Sequence, residues 1–371
     1  MSSRPTPRGT LSLGGNEKKI IHIALQKDPP AAYALVSVGY PPLEQRLHID
    51  TGLDLTWVLH NPSSGYDPLK SSSFSYKSCH GLPIINSVTR SKIRGQCDYN
   101  KTLADKSSYI GTFGIETFTF GKRGLGILKN VLFGFGKTID GPQAGMGSLG
   151  LQLGEDWSIV NSFERKFSIC IESFNDIGDQ KYFLALGNDA VFTGMKVPLD
   201  TQQLKYKISM TSIIIDGESL GIENVLSKYE SILDTGTSSI SLVSEIYHVV
   251  VANITKKMSD AGYEAYEMDN LICYDGTIPK AKEEDIRVAF MFGKVTWMMN
   301  TMKMFIQVDD ALFCLYIDES PIKQNLIGMP MFQGHNVGFD VPNNKLHIKP
   351  MTSPCNKLYD DSNDELDIPN P

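Results

Sequence analysis

The chain of 371 residues has no run of about 20 apolar residues, the length that a transmembrane helix needs. It also has no excess of basic residues, because 35 Lys and Arg side chains face 42 Asp and Glu side chains and the formal net charge is −7. These absences argue against a membrane span and against a nucleic-acid partner. The polar residues 1–19 also lack the apolar segment of a secretory signal peptide.

Metal-binding patterns are missing too. None of the six cysteines forms a Cys-x-x-Cys pair, and the seven histidines have no ligand spacing. We therefore predict no metal site and no cofactor. The even number of cysteines fits a set of disulfides whose pairing stays open, but it also fits buried free thiols in a cytosolic protein.

Helical spacing is rare, and its best examples are residues 155–163 and 243–258. Most other segments are short apolar or alternating runs that Gly, Pro, Asn or Ser residues interrupt, as in residues 112–120 and 207–215. Such runs predict β-strands, so we predict a mainly β chain. Because the chain exceeds the length at which a single core stops growing, we also predict two domains.

What the chain does contain is the tripeptide Asp-Thr-Gly, twice, each time after an apolar run. The copies occupy residues 50–52 and 234–236, and each predicts a carboxylate at the end of a strand, on a turn whose glycine admits another backbone. A polar turn and an apolar strand follow both copies, and each half later has an apolar pair beside a glycine, within residues 147–151 and 326–328. The repeats predict two similar lobes, joined within residues 198–206, that share one site.

A single Asp-Thr-Gly is typical of a turn-capping aspartate. A matched pair, Asp50 and Asp234, has a further chemical use at an interface between lobes. Two adjacent carboxyl groups resist joint ionisation, so they share one proton. One then acts as the base for a bridging water, while the other acts as the acid for the carbonyl oxygen that this water attacks. The pair titrates as a unit, and we expect activity to be greatest in acid.

From about residue 30 to residue 355, the chain resembles the pepsin family of aspartic proteases and, within it, the plant nepenthesin-type branch. Beyond the two loops, the matching blocks are a flap hairpin at residues 97–120, Phe-Gly-Phe-Gly at 133–136, a strand at 167–170 and a strand and turn at 206–217. The resemblance implies an all-β, mainly antiparallel, bilobal fold with a central cleft.

The expected organisation follows. We expect an N-terminal lobe over residues 20–200, with the first catalytic Asp and the flap, and a C-terminal lobe over residues 201–355, with the second. Residues 1–19 and the acidic residues 356–371 are expected to be disordered tails. We further expect a monomer that is extracellular, in the apoplast, or vacuolar.

The resemblance also implies a role for each residue of the two loops. Asp50 and Asp234 form the catalytic pair for a peptide or protein substrate, without metal, cofactor or covalent intermediate. Thr51 and Thr235 hydrogen-bond across the loops. The carboxylates are supported by the backbone N–H groups of Gly52 and Gly236 and by the hydroxyl of Thr237.

Covalent features are implied as well. Asn100 and Asn253 each begin an Asn-x-Thr glycosylation triplet, provided that the chain enters the secretory route. The disulfides that the resemblance implies are Cys79–Cys97, Cys170–Cys355 and Cys273–Cys314.

Among the departures from the pattern of the branch, two concern the site. Trp57 is expected beneath the flap beside the first substrate pockets, and Leu103 takes the flap position of a Tyr that bonds to this Trp. Leu53 takes the position of a Ser that bonds to the first catalytic Asp, and a Leu side chain cannot donate. Two interpretations follow: an endopeptidase with weakened turnover, or an inactive homologue that binds a protein, as the related plant xylanase inhibitors do. Both intact Asp-Thr-Gly loops favour the endopeptidase.

Overall fold

The computed structural model describes residues 10–13, 20–27, 30–61, 65–80, 82, 88–91, 93, 95–102, 107–121, 126–140, 147–154, 157–172, 182–268, 271–278 and 285–358. Strands dominate these residues and the sheets are mainly antiparallel, as predicted. The strands of the first half are β1 (Thr10–Leu13), β2 (Ile20–Lys27), β3 (Pro30–Val38), β4 (Leu43–Asp50), β5 (Trp57–Leu59), β6 (Ser75–Tyr76), β7 (Val88–Arg90), β8 (Cys97–Thr102), β9 (Ser108–Phe120), β10 (Gly126–Asp140), β11 (Gly147–Gly150), β12 (Lys166–Ile171) and β13 (Tyr182–Leu186). Those of the second half are β14 (Met195–Pro198), β15 (Lys207–Ile208), β16 (Ser212–Ile215), β17 (Glu218–Ser219), β18 (Ser231–Leu233), β19 (Ile240–Leu242), β20 (Ala265–Met268), β21 (Leu271–Asp275), β22 (Arg287–Phe292), β23 (Val295–Asn300), β24 (Phe305–Asp309), β25 (Leu312–Leu315), β26 (Ile317–Glu319), β27 (Asn325–Ile327), β28 (His335–Asp340) and β29 (Lys345–Pro350).

The helices are short, with one exception. Those that lie wholly within the described residues are α1 (Glu223–Leu226), α2 (Ser244–Asp260), α3 (Thr301–Met304) and α4 (Met329–Phe332). The long helix α2, predicted from residues 243–258, buries Ile246, Val250 and Ile254 because they recur every fourth residue and share one face. The other predicted helix differs, since its residues Ile159–Phe163 form a 3-10 turn.

One sheet joins strands from both halves of the chain. Along its path the order is β14-β29-β28-β12-β13-β2-β3-β4-β11-β5-β10-β9-β8-β7, with β1 beside β10 and β6 beside β9. At the antiparallel pair of β12 and β28, Phe167 lies opposite Phe339 and the two rings stack with centroids 4.3 Å apart. Tyr206, in the segment predicted to join the lobes, packs on the same Phe339 and donates its hydroxyl to the carbonyl oxygen of Leu151 at 2.7 Å. The seam between the lobes is therefore a packed part of the core.

The duplication predicted from the two tripeptides is present in the strand order. In the first lobe β4 runs parallel to β11, which runs antiparallel to β5; in the second lobe β18, β27 and β19 repeat this arrangement. A Cβ on Gly150 would lie 2.7 Å from the carbonyl oxygen of Leu53, and one on Gly328 would overlap the carbonyl oxygen of Ser239. The prediction that glycines here admit the neighbouring chain is confirmed.

The prediction of a disordered N-terminal tail over residues 1–19 is wrong for one segment. Residues 10–13 form β1, which pairs antiparallel with β10. Their sequence Thr-Leu-Ser-Leu alternates with the two-residue period of a strand. The prediction of a tail is based on the polar composition of residues 1–19 as a whole, which does not reveal this short alternation. Residues 1–9 and 14–19 lie outside the described residues, as do residues 359–371 of the predicted C-terminal tail. Residues 356–358, at the start of that tail, belong to a 3-10 helix that begins at Cys355, so the prediction of disorder is wrong for them.

Candidate active site

The two Asp-Thr-Gly loops meet at the seam between the lobes. Asp50 is the last residue of β4, and Asp234 follows β18 directly. Each loop folds back on its own aspartate: the backbone N–H of Gly52 donates to Asp50 Oδ1 at 2.8 Å, and that of Gly236 donates to Asp234 Oδ1 at 2.9 Å. The inner oxygen of each carboxyl group is thereby fixed.

Each carboxyl group lies over the glycine of the opposite loop. A Cβ on Gly52 would lie 2.6 Å from Asp234 Oδ1, and a Cβ on Gly236 would lie 2.6 Å from Asp50 Oδ1. Asp50 is buried, whereas Asp234 is partly exposed. Because only glycine leaves this space free, the two carboxyl groups face each other across the interface.

The threonines of the two loops hold each other through buried hydrogen bonds. The backbone N–H of Thr51 donates to the hydroxyl of Thr235 at 3.0 Å, and the N–H of Thr235 donates to the hydroxyl of Thr51 at 3.0 Å. Each hydroxyl then donates into the other lobe, from Thr51 to the carbonyl oxygen of Leu233 at 2.9 Å and from Thr235 to that of Ile49 at 2.8 Å. Four bonds of this kind leave the loops little freedom to separate.

The outer oxygens of the two aspartates are supported unequally. The hydroxyl of Thr237 donates to Asp234 Oδ2 at 2.9 Å. Leu53 occupies the corresponding place in the first loop and offers Asp50 only its backbone N–H. The Leu53 side chain is buried instead in a small apolar cluster with residues of the flap hairpin.

The groups that shift the pKa differ between Asp50 and Asp234. Burial raises the pKa of both Asp50 and Asp234, because a carboxylate loses solvation there. The charge of Asp234 raises the pKa of Asp50 further, and the ammonium group of Lys101 opposes that rise only in part. For Asp234, the Thr237 hydroxyl is the strongest influence against the rise in pKa. The pair therefore holds a proton more readily than isolated aspartates in water do.

The flap hairpin is described for residues 97–102 and 107–120, and it packs on Trp57. The ring of Tyr109 lies 4.3 Å from that of Trp57 between centroids. Trp57 is buried, and its Nε1 has no hydrogen-bond partner within the described residues. Leu103 lies outside the described residues. Sequence reasoning missed Tyr109, although strand alternation places it on the same face as Phe113 and could have indicated it.

The cysteines and the other predicted positions are all within the described residues. Asn100 is exposed on β8, whereas Asn253 lies within α2 and donates its Nδ2 to the carbonyl oxygen of Val249 at 2.8 Å.

Among the described side chains, no group of three or more His, Cys, Asp or Glu is arranged to hold a metal, and none of the described helices is long and apolar enough to cross a membrane. The disulfides are those that the resemblance implies, Cys79–Cys97, Cys170–Cys355 and Cys273–Cys314.

Two family models match the chain, one for each lobe. The model described as Xylanase inhibitor N-terminal matches residues 33–188, and the model described as Xylanase inhibitor C-terminal matches residues 205–350. The chain belongs to the plant branch of the pepsin-like aspartic protease family. Within this pepsin-like family, the description of the matching models refers to inhibitors, whereas many curated relatives are called proteases.

The proteins similar to this chain include two curated plant proteases and a seed globulin of known structure. Aspartyl protease UND of Arabidopsis thaliana is 27% identical over 331 residues, which cover 84% of this chain and 82% of that protein. Aspartic proteinase nepenthesin-1 of Nepenthes gracilis is 22% identical over 335 residues, which cover 83% and 75%. The crystal structure of basic 7S globulin from soybean matches with a TM-score of 0.72 at 15% identity and covers 91% of this chain and 98% of that one. At this identity the likeness shows the bilobal fold alone.

Proposed function

We propose that this pepsin-like protein is an aspartic endopeptidase that hydrolyses peptide bonds at acidic pH, with Asp50 and Asp234 as its catalytic pair. The main observation in its support is that the two carboxyl groups face each other, each lying over the glycine of the opposite loop. The reciprocal bonds of Thr51 and Thr235 support it, because they fix that geometry from both lobes. The names of the curated relatives support the same class of chemistry.

The unequal support of the carboxyl groups is a reason to give them different roles. The hydrogen bond from Thr237 stabilises the ionised form of Asp234. Asp50 is buried without a hydroxyl donor at Leu53, so it keeps the shared proton and donates it toward Asp234. In the resting enzyme Asp234 is then the base and Asp50 the acid.

Hydrolysis follows from these two states. A water between the carboxyl groups gives a proton to Asp234 while its oxygen attacks the carbonyl carbon of the scissile bond. Asp50 gives its proton to the carbonyl oxygen, so the intermediate is a neutral diol. The C–N bond breaks when Asp234 returns its proton to the amide nitrogen and a diol hydroxyl returns one to Asp50. No covalent acyl-enzyme forms, and the mechanism requires no metal or cofactor.

The proposed substrate is an extended segment of a peptide or protein. It would lie in the cleft between an N-terminal lobe at residues 20–200 and a C-terminal lobe at residues 201–355, and pair its backbone with the flap hairpin. The paired cysteines suit an oxidising compartment, so we propose that the protein is located in the apoplast or vacuole. We also propose that it is a monomer.

An alternative proposal is a protein-binding homologue of the xylanase-inhibitor type. Two observations favour it: Leu53 gives no hydroxyl to Asp50, and the matching family models carry the inhibitor description. The two intact Asp-Thr-Gly loops favour the endopeptidase, and so does Thr237, because its hydroxyl stabilises the ionised form of Asp234 that a catalytic base requires.

Incubation of the full chain with an unfolded protein at about pH 3–5, with and without pepstatin, tests the proposal. The endopeptidase predicts cleavage that pepstatin abolishes. The alternative predicts no cleavage at any pH together with saturable binding to a glycosidase such as a xylanase. Cleavage that is insensitive to pepstatin would contradict the mechanism.

A further inference from the structure

One face of the flap hairpin is turned toward the first catalytic loop. In the antiparallel pair of β8 and β9, Lys101 lies directly opposite Tyr109, and Tyr99 lies opposite Gly111. Directly opposite residues point to the same side of a hairpin, and so do residues two apart on one strand. Tyr99 and Tyr109 are buried with Leu53, so this side faces the Asp50 loop.

Lys101 makes an ion pair from this face. Its Nζ lies 3.0 Å from Asp54 Oδ1, and the two side chains are 32% and 18% exposed. Asp54 is fixed in turn, because the indole N–H of Trp157 donates to its other oxygen, Oδ2, at 2.9 Å. Both oxygens of Asp54 are therefore engaged, one by the flap and one by the body of the lobe.

Asp54, the partner of Lys101, lies close in sequence to both Asp50 and Trp57. Asp54 lies four residues after Asp50 in the loop that leads into β5. Trp57 begins β5 and receives the ring of Tyr109, the residue opposite Lys101 on the hairpin. The hairpin thus makes an ionic contact with the catalytic loop at Asp54 and an aromatic contact with the strand that follows this loop at Trp57.

We propose that Lys101 is a positioning residue, which latches the flap hairpin onto the Asp50 loop through Asp54. The contact itself does not depend on the proposed endopeptidase activity, but its catalytic consequence rests on it. A hairpin held at this place keeps a peptide backbone aligned over the carboxyl pair, and it must break the ion pair to open fully. Because the Lys101 ammonium is near enough to influence Asp50, release of the latch also removes a favourable charge from the site.

Hydrogen exchange of the full chain tests the latch without any need for activity. Lys101→Met and Asp54→Asn should each speed the exchange of amides in residues 97–102 and 107–113 by about five-fold or more, because the hairpin opens more often. The double variant should be no faster than either single variant, since both remove the same contact. Lys101→Arg should keep the wild-type rate.

Lys228→Met is the matched control. Lys228 pairs with Glu245 at 4.0 Å on the exposed surface of the second lobe, so the change in charge is the same but the flap is untouched. Its exchange in the hairpin should equal that of the wild type. Wild-type exchange in Lys101→Met, or equal acceleration in Lys228→Met, would overturn the latch.

Peptide cleavage adds a readout that a purely structural contact would not change. The latch predicts that kcat/KM in acid falls by about ten-fold in Lys101→Met, mainly through kcat, and recovers in Lys101→Arg. Faster exchange in a chain that cleaves nothing would uphold the latch and contradict the endopeptidase. Unchanged exchange and kcat/KM in a cleaving chain would contradict the latch alone.

Discussion

Leu53 and Thr237 stand at the same position of the two loops, three residues after Asp50 and Asp234, yet only Thr237 hydrogen-bonds its aspartate. Leu53 instead fills the apolar contact between the catalytic loop and the flap hairpin. One loop thus uses this position for charge stabilisation and the other for packing. The proposed roles of base and acid follow from that difference.

Leu53→Ser should change the titration of the pair. A hydroxyl within reach of Asp50 favours its ionised form and lowers its pKa. Because Asp50 is the proposed acid, the basic limb of the pH profile of kcat/KM should move by about one unit to lower pH. Truncation of the buried Leu side chain should also lower the free energy of unfolding by about 2–4 kcal/mol.

Leu55→Ser separates the two effects. Leu55 belongs to the same apolar cluster, but the residue lies five positions from Asp50. This variant should lose stability by a similar amount and keep the wild-type pH profile. Equal shifts of the basic limb in both variants would contradict the roles proposed for Leu53 and Thr237.

The cross-loop threonines should be coupled energetically. Thr51→Val or Thr235→Val leaves a buried N–H and a buried carbonyl oxygen without partners, so each should lower the free energy of unfolding by about 1–3 kcal/mol. In chemical denaturation the double variant should lose less than the sum of the two, because both changes break one network. Thr296→Val, in β23, is the control and should change stability by less than about 0.5 kcal/mol. Strict additivity of the first two would contradict the network.

Asp50→Asn should alter the dependence of stability on pH. Burial and the charge of Asp234 raise the pKa of Asp50 to about 8. A raised pKa means that the folded state binds the proton more tightly, so this contribution is complete below about pH 4 and is lost as the pH rises toward 8. Asp50→Asn should therefore raise the Tm relative to wild type more at neutral pH than in acid. Asp310→Asn, at an exposed position, should show no such trend, and a larger gain in acid would contradict the shift.

The disulfides should differ in their effect on stability. Cys170–Cys355 spans 185 residues, whereas Cys79–Cys97 spans 18. The entropy of closing a loop in the unfolded chain grows with its length, so replacing the longer bridge by two Ala residues should cost about 5 kcal/mol and the shorter about 3 kcal/mol. Denaturant unfolding of the two variants measures the difference. A larger loss of stability on removal of the shorter bridge would contradict the view that the entropy of the unfolded chain determines the difference.

Much of the fold and the core of the site could be predicted because local sequence carries them. The repeated tripeptide, with a glycine beside an apolar pair later in each half, predicted the paired strand arrangements that Gly150 and Gly328 permit. These are short-range requirements: an apolar strand, an acidic turn and a residue without Cβ.

The contacts of the flap could not be predicted in this way. Asp54 and Lys101 are 47 residues apart, and their pairing depends on how the hairpin of β8 and β9 docks against the loop. Tyr109 meets Trp57 for the same reason. From sequence, Leu53 is recognisable only as a missing hydroxyl, because its packing role depends on neighbours that come from elsewhere in the chain.

Acid cleavage of an unfolded protein by Asp50→Asn and Asp234→Asn tests the central claim most directly. The control is Asp318→Asn, which alters another partly buried carboxyl group of the second lobe, one that accepts from Ser239 at 2.9 Å. The account predicts that each catalytic variant loses at least about a thousand-fold in kcat/KM while the control keeps nearly wild-type activity. Acid cleavage that persists at the wild-type rate in Asp234→Asn would contradict it.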